Sequence, residues 1–192
     1  MKYKIGIYGT AKISINTQTA DKIRKLSEEL AHASDKVIIV TGGCEGIPYE
    51  IAETTANMGT TVWAFPAYTS KKEMKYAQPN QNLKIYKKIN YINPEIANNN
   101  SLRTCLKYRN VSSTSACNAG IIVGGKWGSL NEFTNLMDMQ KIIGVLTGTG
   151  GIADELPSLC RKIQKEGQGK VIFSDDPAIL VKSILAELTK NA

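Results

Sequence analysis

The stretch Asn118 to Glu132, NAGIIVGGKWGSLNE, decides how the rest of the chain is read. Ala119 to Val123 is a short apolar run without polar alternation, the pattern of a strand covered on both faces. Gly124 and Gly125 follow, then Lys126, Trp127 and Gly128, and a helix expected to open at Ser129 with Glu132 three positions on. Glycines after a strand let backbone amides approach a ligand, and the N-terminus of the next helix attracts anions. A phosphate site beside a carboxylate points to nucleotide chemistry.

Working outward, the same rhythm recurs. Tyr3 to Tyr8 reads as a strand closed by Gly9-Thr10-Ala11, and Thr17 to Ala33 as a helix with Ala20, Ile23, Leu26, Leu30 and Ala31 on one stripe. Lys36 to Val40 is a second strand, ending in Thr41-Gly42-Gly43-Cys44-Glu45-Gly46, before a helix with Pro48 in its first turn. Thr60 to Phe65 is a third. A helix over Ser101 to Ala116 leads into the opening stretch. Ile142 to Thr147 ends in Gly148 to Gly151, and a helix over Ile152 to Lys165, a strand over Lys170 to Phe173 and a helix from Pro177 complete the chain. Such alternation predicts an α/β fold: a Rossmann-like, doubly wound, mostly parallel sheet with helices on both faces, as one domain over residues 1–192. Pro66 to Asn100 breaks the rhythm and reads as an irregular insert with one extra strand within Leu83 to Tyr91, either a functional flap or a plain surface loop.

Glycine turns at four strand ends suggest a ligand lying against the carboxyl edge of the sheet, although tight turns between strand and helix favour glycine anyway. The net charge of +7 is spread along the chain, and the densest basic run, Lys84 to Lys88, is too short for an arm. We therefore expect small anionic ligands and no nucleic acid. Cys44, Cys105, Cys117 and Cys160 stand far apart and His32 is the only histidine, so no metal site is expected. No run is long enough to span a membrane and the start is too short of apolar residues for a signal peptide; no membrane partner and a cytoplasmic location are the expectations. The dinucleotide fingerprint and the P-loop are both absent, and no resident cofactor is expected.

Glu132 has two readings. Ser129-Leu130-Asn131-Glu132 fits a capping box, in which the glutamate only secures the helix start. Arg109 favours a chemical role, because it falls at helical spacing among Leu102, Cys105, Leu106, Ser113 and Ala116, the stripe expected to face inward. A buried guanidinium must find an anion; Glu132 or a ligand phosphate would serve, and the alternative is a side chain that bends out to solvent.

The Tyr108-Arg109-Asn110 triplet followed by GGKWGSLNE resembles the paired motifs of the LOG family, the nucleoside 5′-monophosphate phosphoribohydrolases often labelled lysine decarboxylases. That family carries an Arg-Lys pair ahead of a PGGxGTxxE motif. The resemblance implies catalytic roles for Arg109 and Glu132 and a homodimer. It implies a phosphate-holding set of Gly9, Thr10, Gly42, Gly43, Gly46, Gly125, Lys126, Gly128 and Ser129 around an AMP-like nucleotide. Gly124 stands for the motif's proline, Lys126 for its second glycine and Asn110 for the lysine. These departures suit a divergent member of the wider SLOG superfamily, which also holds nucleotide sensors and molybdenum-cofactor carriers. The expected activity is cleavage of the N-glycosidic bond to free base and ribose 5-phosphate; the alternative is a carrier or sensor without turnover.

Overall fold

The computed structural model describes residues 2–11, 16–163 and 167–190. Among them the strands are β1 (Tyr3–Gly9), β2 (Val37–Thr41), β3 (Thr61–Ala64), β4 (Tyr86–Ile89), β5 (Ala119–Val123), β6 (Ile142–Leu146) and β7 (Lys170–Ser174). The helices are α1 (Thr17–His32), α2 (Ile47–Asn57), α3 (Lys71–Ala77), α4 (Pro94–Asn98), α5 (Leu102–Ala116), α6 (Trp127–Asp138), α7 (Ile152–Lys162) and α8 (Pro177–Lys190). The expected end of α7 at Gln164 and Lys165 lies outside the described residues. No described helix is long and apolar enough to cross a membrane.

All strands pair in parallel, in the order β4-β3-β2-β1-β5-β6-β7. The chain winds one way from β1 to β4, then crosses back to place β5 on the other side of β1. The connections that leave the paired carboxyl ends of β1 and β5 run to opposite faces, into α1 and α6, and that is where an α/β sheet opens a crevice. Every residue of β5 and β6 is buried, which explains their unbroken apolar sequences. On one face α1, α2 and α8 cover the sheet through Ile23, Leu26, Leu30, Ile47, Ile51, Leu180 and Ile184. On the other, Phe133 and Leu136 of α6 and Ala153 and Leu156 of α7 pack with Tyr8. Each fully buried Leu or Ile contributes about 2 kcal/mol. Gly120 of β5 makes this second layer fit, because a Cβ there would collide with Leu136 and crowd the Tyr8 ring.

The segment 66–100 is more regular than its composition predicts. It contains α3, a 3₁₀ turn over Leu83–Ile85, β4 and α4. β4 is an edge strand whose Lys87 and Lys88 are exposed, and the Lys88 ammonium lies 4.9 Å above the Trp63 ring. Lysines on an edge block further strand pairing, and they also erase the apolar alternation that would have marked the strand. The segment braces the turn after β2: the Glu45 amide donates to Oε1 of Gln78 at 3.2 Å.

Candidate functional site

Three strand-end turns meet at a cavity of about 530 Å³ between the tips of β1, β2 and β5, closed at the side by α5 and α6. Of the predicted residues, Gly9, Thr10, Gly42, Arg109, Lys126, Gly128, Ser129 and Glu132 line it. Gly43, Gly46 and Gly125 sit behind this lining and act as framework. The Gly43 amide is occupied by Oγ1 of Thr41 at 3.2 Å. Gly46 is the N-cap of α2, pressed against the Thr10 carbonyl. The Gly125 amide donates to Oγ1 of Thr10 at 2.8 Å.

Helix α6 begins two residues earlier than expected, at Trp127, with Lys126 as its N-cap and no side-chain capping bond. Ser129 is thus inside the helix, and its hydroxyl donates to the Gly9 carbonyl at 3.2 Å. The capping-box reading of Ser129 and Glu132 fails. Glu132 instead points down the buried face of α6, only 6% exposed.

Arg109 meets it there. Its Nη1 lies 3.9 Å from Oε1 of Glu132, with the two side chains 11% and 8% exposed. At that separation the two attract as charges without a hydrogen bond. Nη2 lies 3.8 Å from Sγ of Cys44, and Nε is buried with no hydrogen-bond partner among the described residues. The guanidinium lies against the backbone of Gly42, where a Cβ would coincide with Nη1. Gly42 is a glycine because Arg109 occupies the space. The solvent-seeking alternative for Arg109 does not occur. Helix α5 is turned from its expected orientation, burying Asn110, Ser113 and Thr114 with Cys105 and leaving Leu102 54% exposed.

Burial pushes the Glu132 carboxyl up to about 7, outweighing the opposing influence of Arg109 and, after it, Lys107. An adjacent cation ordinarily favours an ionised carboxylate, but here desolvation disfavours the charge more than a guanidinium without a hydrogen bond favours it. A carboxyl poised near neutrality can exchange protons with a bound substrate or water.

The first intrahelical bond of α6 runs from the Leu130 amide to the Lys126 carbonyl at 2.9 Å. Helix geometry leaves the amides ahead of it without intrahelical acceptors, an anion site in the making. Gly128, in this turn, faces open space, with nothing within 4 Å of where a Cβ would stand. By contrast the fourth glycine turn, 148–151, does not line the cavity. Asp154 takes the amide protons of Gly148 and Gly150 at 2.6 and 2.9 Å, and Ile152 and Ala153 donate to the carbonyls of Gly125 and Gly124. Its glycines serve packing.

A family model describes this arrangement of sequence, the SLOG cluster4 family, and it matches residues 2–181. The chain belongs to that family. No curated protein sequence matches it. Similar solved structures include TM1055, with a TM-score of 0.70 at 13% identity over 97% of this chain and 99% of that one. The molybdenum cofactor carrier protein of Chlamydomonas reinhardtii gives 0.65 at 18% identity, covering 100% of both chains. DNA processing protein A of Helicobacter pylori gives 0.65 at 17% identity, over 96% of this chain and 81% of that one. That last structure describes a single-stranded DNA binding mode. It corrects the expectation of no nucleic acid: a scaffold of this kind accommodates a strand, so scattered charge is no ground for excluding one.

For this SLOG chain the departures from the LOG-type motif have local causes. Gly124 takes φ +61°, a conformation closed to proline. Lys126 has φ −133°, which suits any residue, and its exposed side chain lines the cavity. Asn110 is 3% exposed and donates to Oδ1 of Asn131 at 2.9 Å, joining α5 to α6 where a lysine would bring in a buried charge.

The lining residues missed from sequence include Tyr8, Cys44, Arg103 and Lys107. Tyr8 forms the floor, 1% exposed, its hydroxyl 3.6 Å from Sγ of Cys117 and held neutral by burial. As one apolar residue in an apolar strand it carried no signal. Cys44 had only its place in a glycine turn. Arg103 and Lys107, four positions apart on α5, were legible as one helix face.

Proposed function

We propose that this protein binds a nucleoside 5′-monophosphate with its phosphate at the first turn of α6 and hydrolyses the N-glycosidic bond, giving free base and ribose 5-phosphate. What carries the reading is the convergence of buried Glu132 and Arg109 beside that turn, with Nε of Arg109 lacking a partner among the described residues. As the bond to the base breaks, positive charge develops on the ribose and a carboxylate beside it is stabilising. Glu132 takes a proton from the attacking water, whose oxygen adds to the anomeric carbon while the base departs. Arg109 orients the sugar through its spare N–H groups. The test is chromatographic detection of base released from AMP: wild type is active, Glu132→Ala is not, and equal rates would remove the glutamate from the mechanism.

A carrier or sensor without turnover is favoured by one observation: Thr149 and Thr10 occupy the amides of Gly124 and Gly125, leaving fewer donors to the ligand than the motif suggests. Thermal stabilisation by nucleotide with no product after long incubation would select it. The LOG resemblance also implies a homodimer. The exposed Leu102, Tyr108 and Val111 of α5 offer it an apolar surface, and sedimentation at graded concentration tests it.

A further inference from the structure

Arg109 and Glu132 are taken up with each other, which leaves the other charged groups of the cleft to be accounted for. Arg103, Lys107 and Lys126 line it against Glu45 alone. Among the described residues Arg103 and Lys107 make neither an ion pair nor a side-chain hydrogen bond. A monoester carries a charge of about −1.5 to −2, which Lys126 and the amides of the α6 first turn already match. Of Arg103 and Lys107, one charge is offset by Glu45, so one positive charge remains over.

Solubility would explain them if α5 carried charge on its outward face. It does not. The outward side shows Tyr108 and Val111, each 46% exposed, while the cations Arg103 and Lys107 are turned to the cleft. Arg103 precedes Arg109 by six positions, so along the helix axis it stands about 9 Å further toward the mouth. Lys107 lies between, near enough to act on the Glu132 carboxyl. The cleft therefore offers a positive centre on the α5 wall in addition to the α6 turn.

We propose that Arg103 and Lys107 form a second anion subsite, and that the ligand of this cleft is a nucleotide bearing two phosphate groups. This rests on the nucleotide reading of the site given above. The second phosphate can be chained to the first, as in a nucleoside diphosphate, or stand across the ribose, as in a 3′,5′-bisphosphate.

The experiment is titration calorimetry at fixed ionic strength with AMP, ADP and adenosine 3′,5′-bisphosphate, on wild type and on the double variant Arg103→Ser/Lys107→Ser. Unchanged thermal melting certifies that the variant is folded. At least one two-phosphate ligand is expected to bind wild type tenfold or more tightly than AMP. In the double variant that ratio should collapse to about one. The ligand that shows the advantage identifies the geometry. Binding of AMP with no advantage for either two-phosphate ligand, or an advantage that survives in the double variant, overturns the second subsite and leaves the monophosphate reading intact. Failure of all three to bind wild type overturns both.

Discussion

Two glycine turns lie side by side in this molecule and do opposite things. The turn after β5 runs through Gly124, Gly125 and Gly128 into α6, whose first turn holds no acidic residue. The turn after β6 runs through Gly148, Gly150 and Gly151 into α7, whose first turn holds Asp154 and Glu155. In the second, the Asp154 carboxylate accepts from the turn amides of Gly148 and Gly150, while the carbonyls of Gly125 and Gly124 take up the first helical amides, Ile152 and Ala153, and the helix start is closed. In the first, nothing among the described residues occupies the amides ahead of Leu130, and the helix start faces a cavity. What already fills the amides separates a structural joint from an anion site. Glycine content alone does not tell them apart; the residue that answers the helix dipole does.

The comparison breaks most readily at Glu132. Glu132→Gln should lower the rate of base release by on the order of 10² or more, the usual scale for a lost general base, with nucleotide affinity changed far less. Steady-state kinetics with AMP decides it, and retained turnover would return the cavity to the status of the other turn. The wild-type rate should rise with pH through about 7 and then level, since the ionised carboxylate is the active form.

Stability should run the opposite way. The Glu132 carboxyl is raised from its ordinary 4.5 to about 7 in the fold. Between those values the folded state keeps a proton that the unfolded chain has released. Its stabilising contribution is complete below 4.5 and is lost as pH rises through 7, a change on the order of 3 kcal/mol at most. Urea titrations across that range should show the decline in wild type and its absence in Glu132→Gln.

Smaller effects separate the turns themselves. Asp154→Ala removes a carboxylate that serves two amides and should cost about 1–2 kcal/mol by denaturant melting, with AMP affinity nearly unchanged. Gly128→Ala is the sharpest contrast. No neighbour opposes the added methyl, so the fold should gain up to about 1 kcal/mol. The methyl projects into the cavity, so AMP affinity should fall several-fold in the same variant. A stabilised protein that binds AMP undiminished would place the phosphate elsewhere.

The layered fold was legible because β5 and β6 are unbroken apolar runs between glycine turns, and the ion pair because Arg109 stood among inward-facing positions. Other features depended on partners remote in sequence. The start of α6 was misplaced because Ser129 and Glu132 imitate a cap, while the serine hydroxyl is drawn to Gly9 across 120 positions. Which amides remain available turned on Thr10 and Thr149, distant from the motif they complete. β4 was read within Leu83 to Tyr91, but its bounds, Tyr86–Ile89, were blurred by the lysines that protect its edge.

The Thr10 hydroxyl grips the Gly125 amide across the seam where the two counter-wound halves of the sheet part. A seam riveted in this way fixes the spacing of the cleft walls before anything arrives. The ordering of that rim is completed during folding, so a newcomer meets a mould already set.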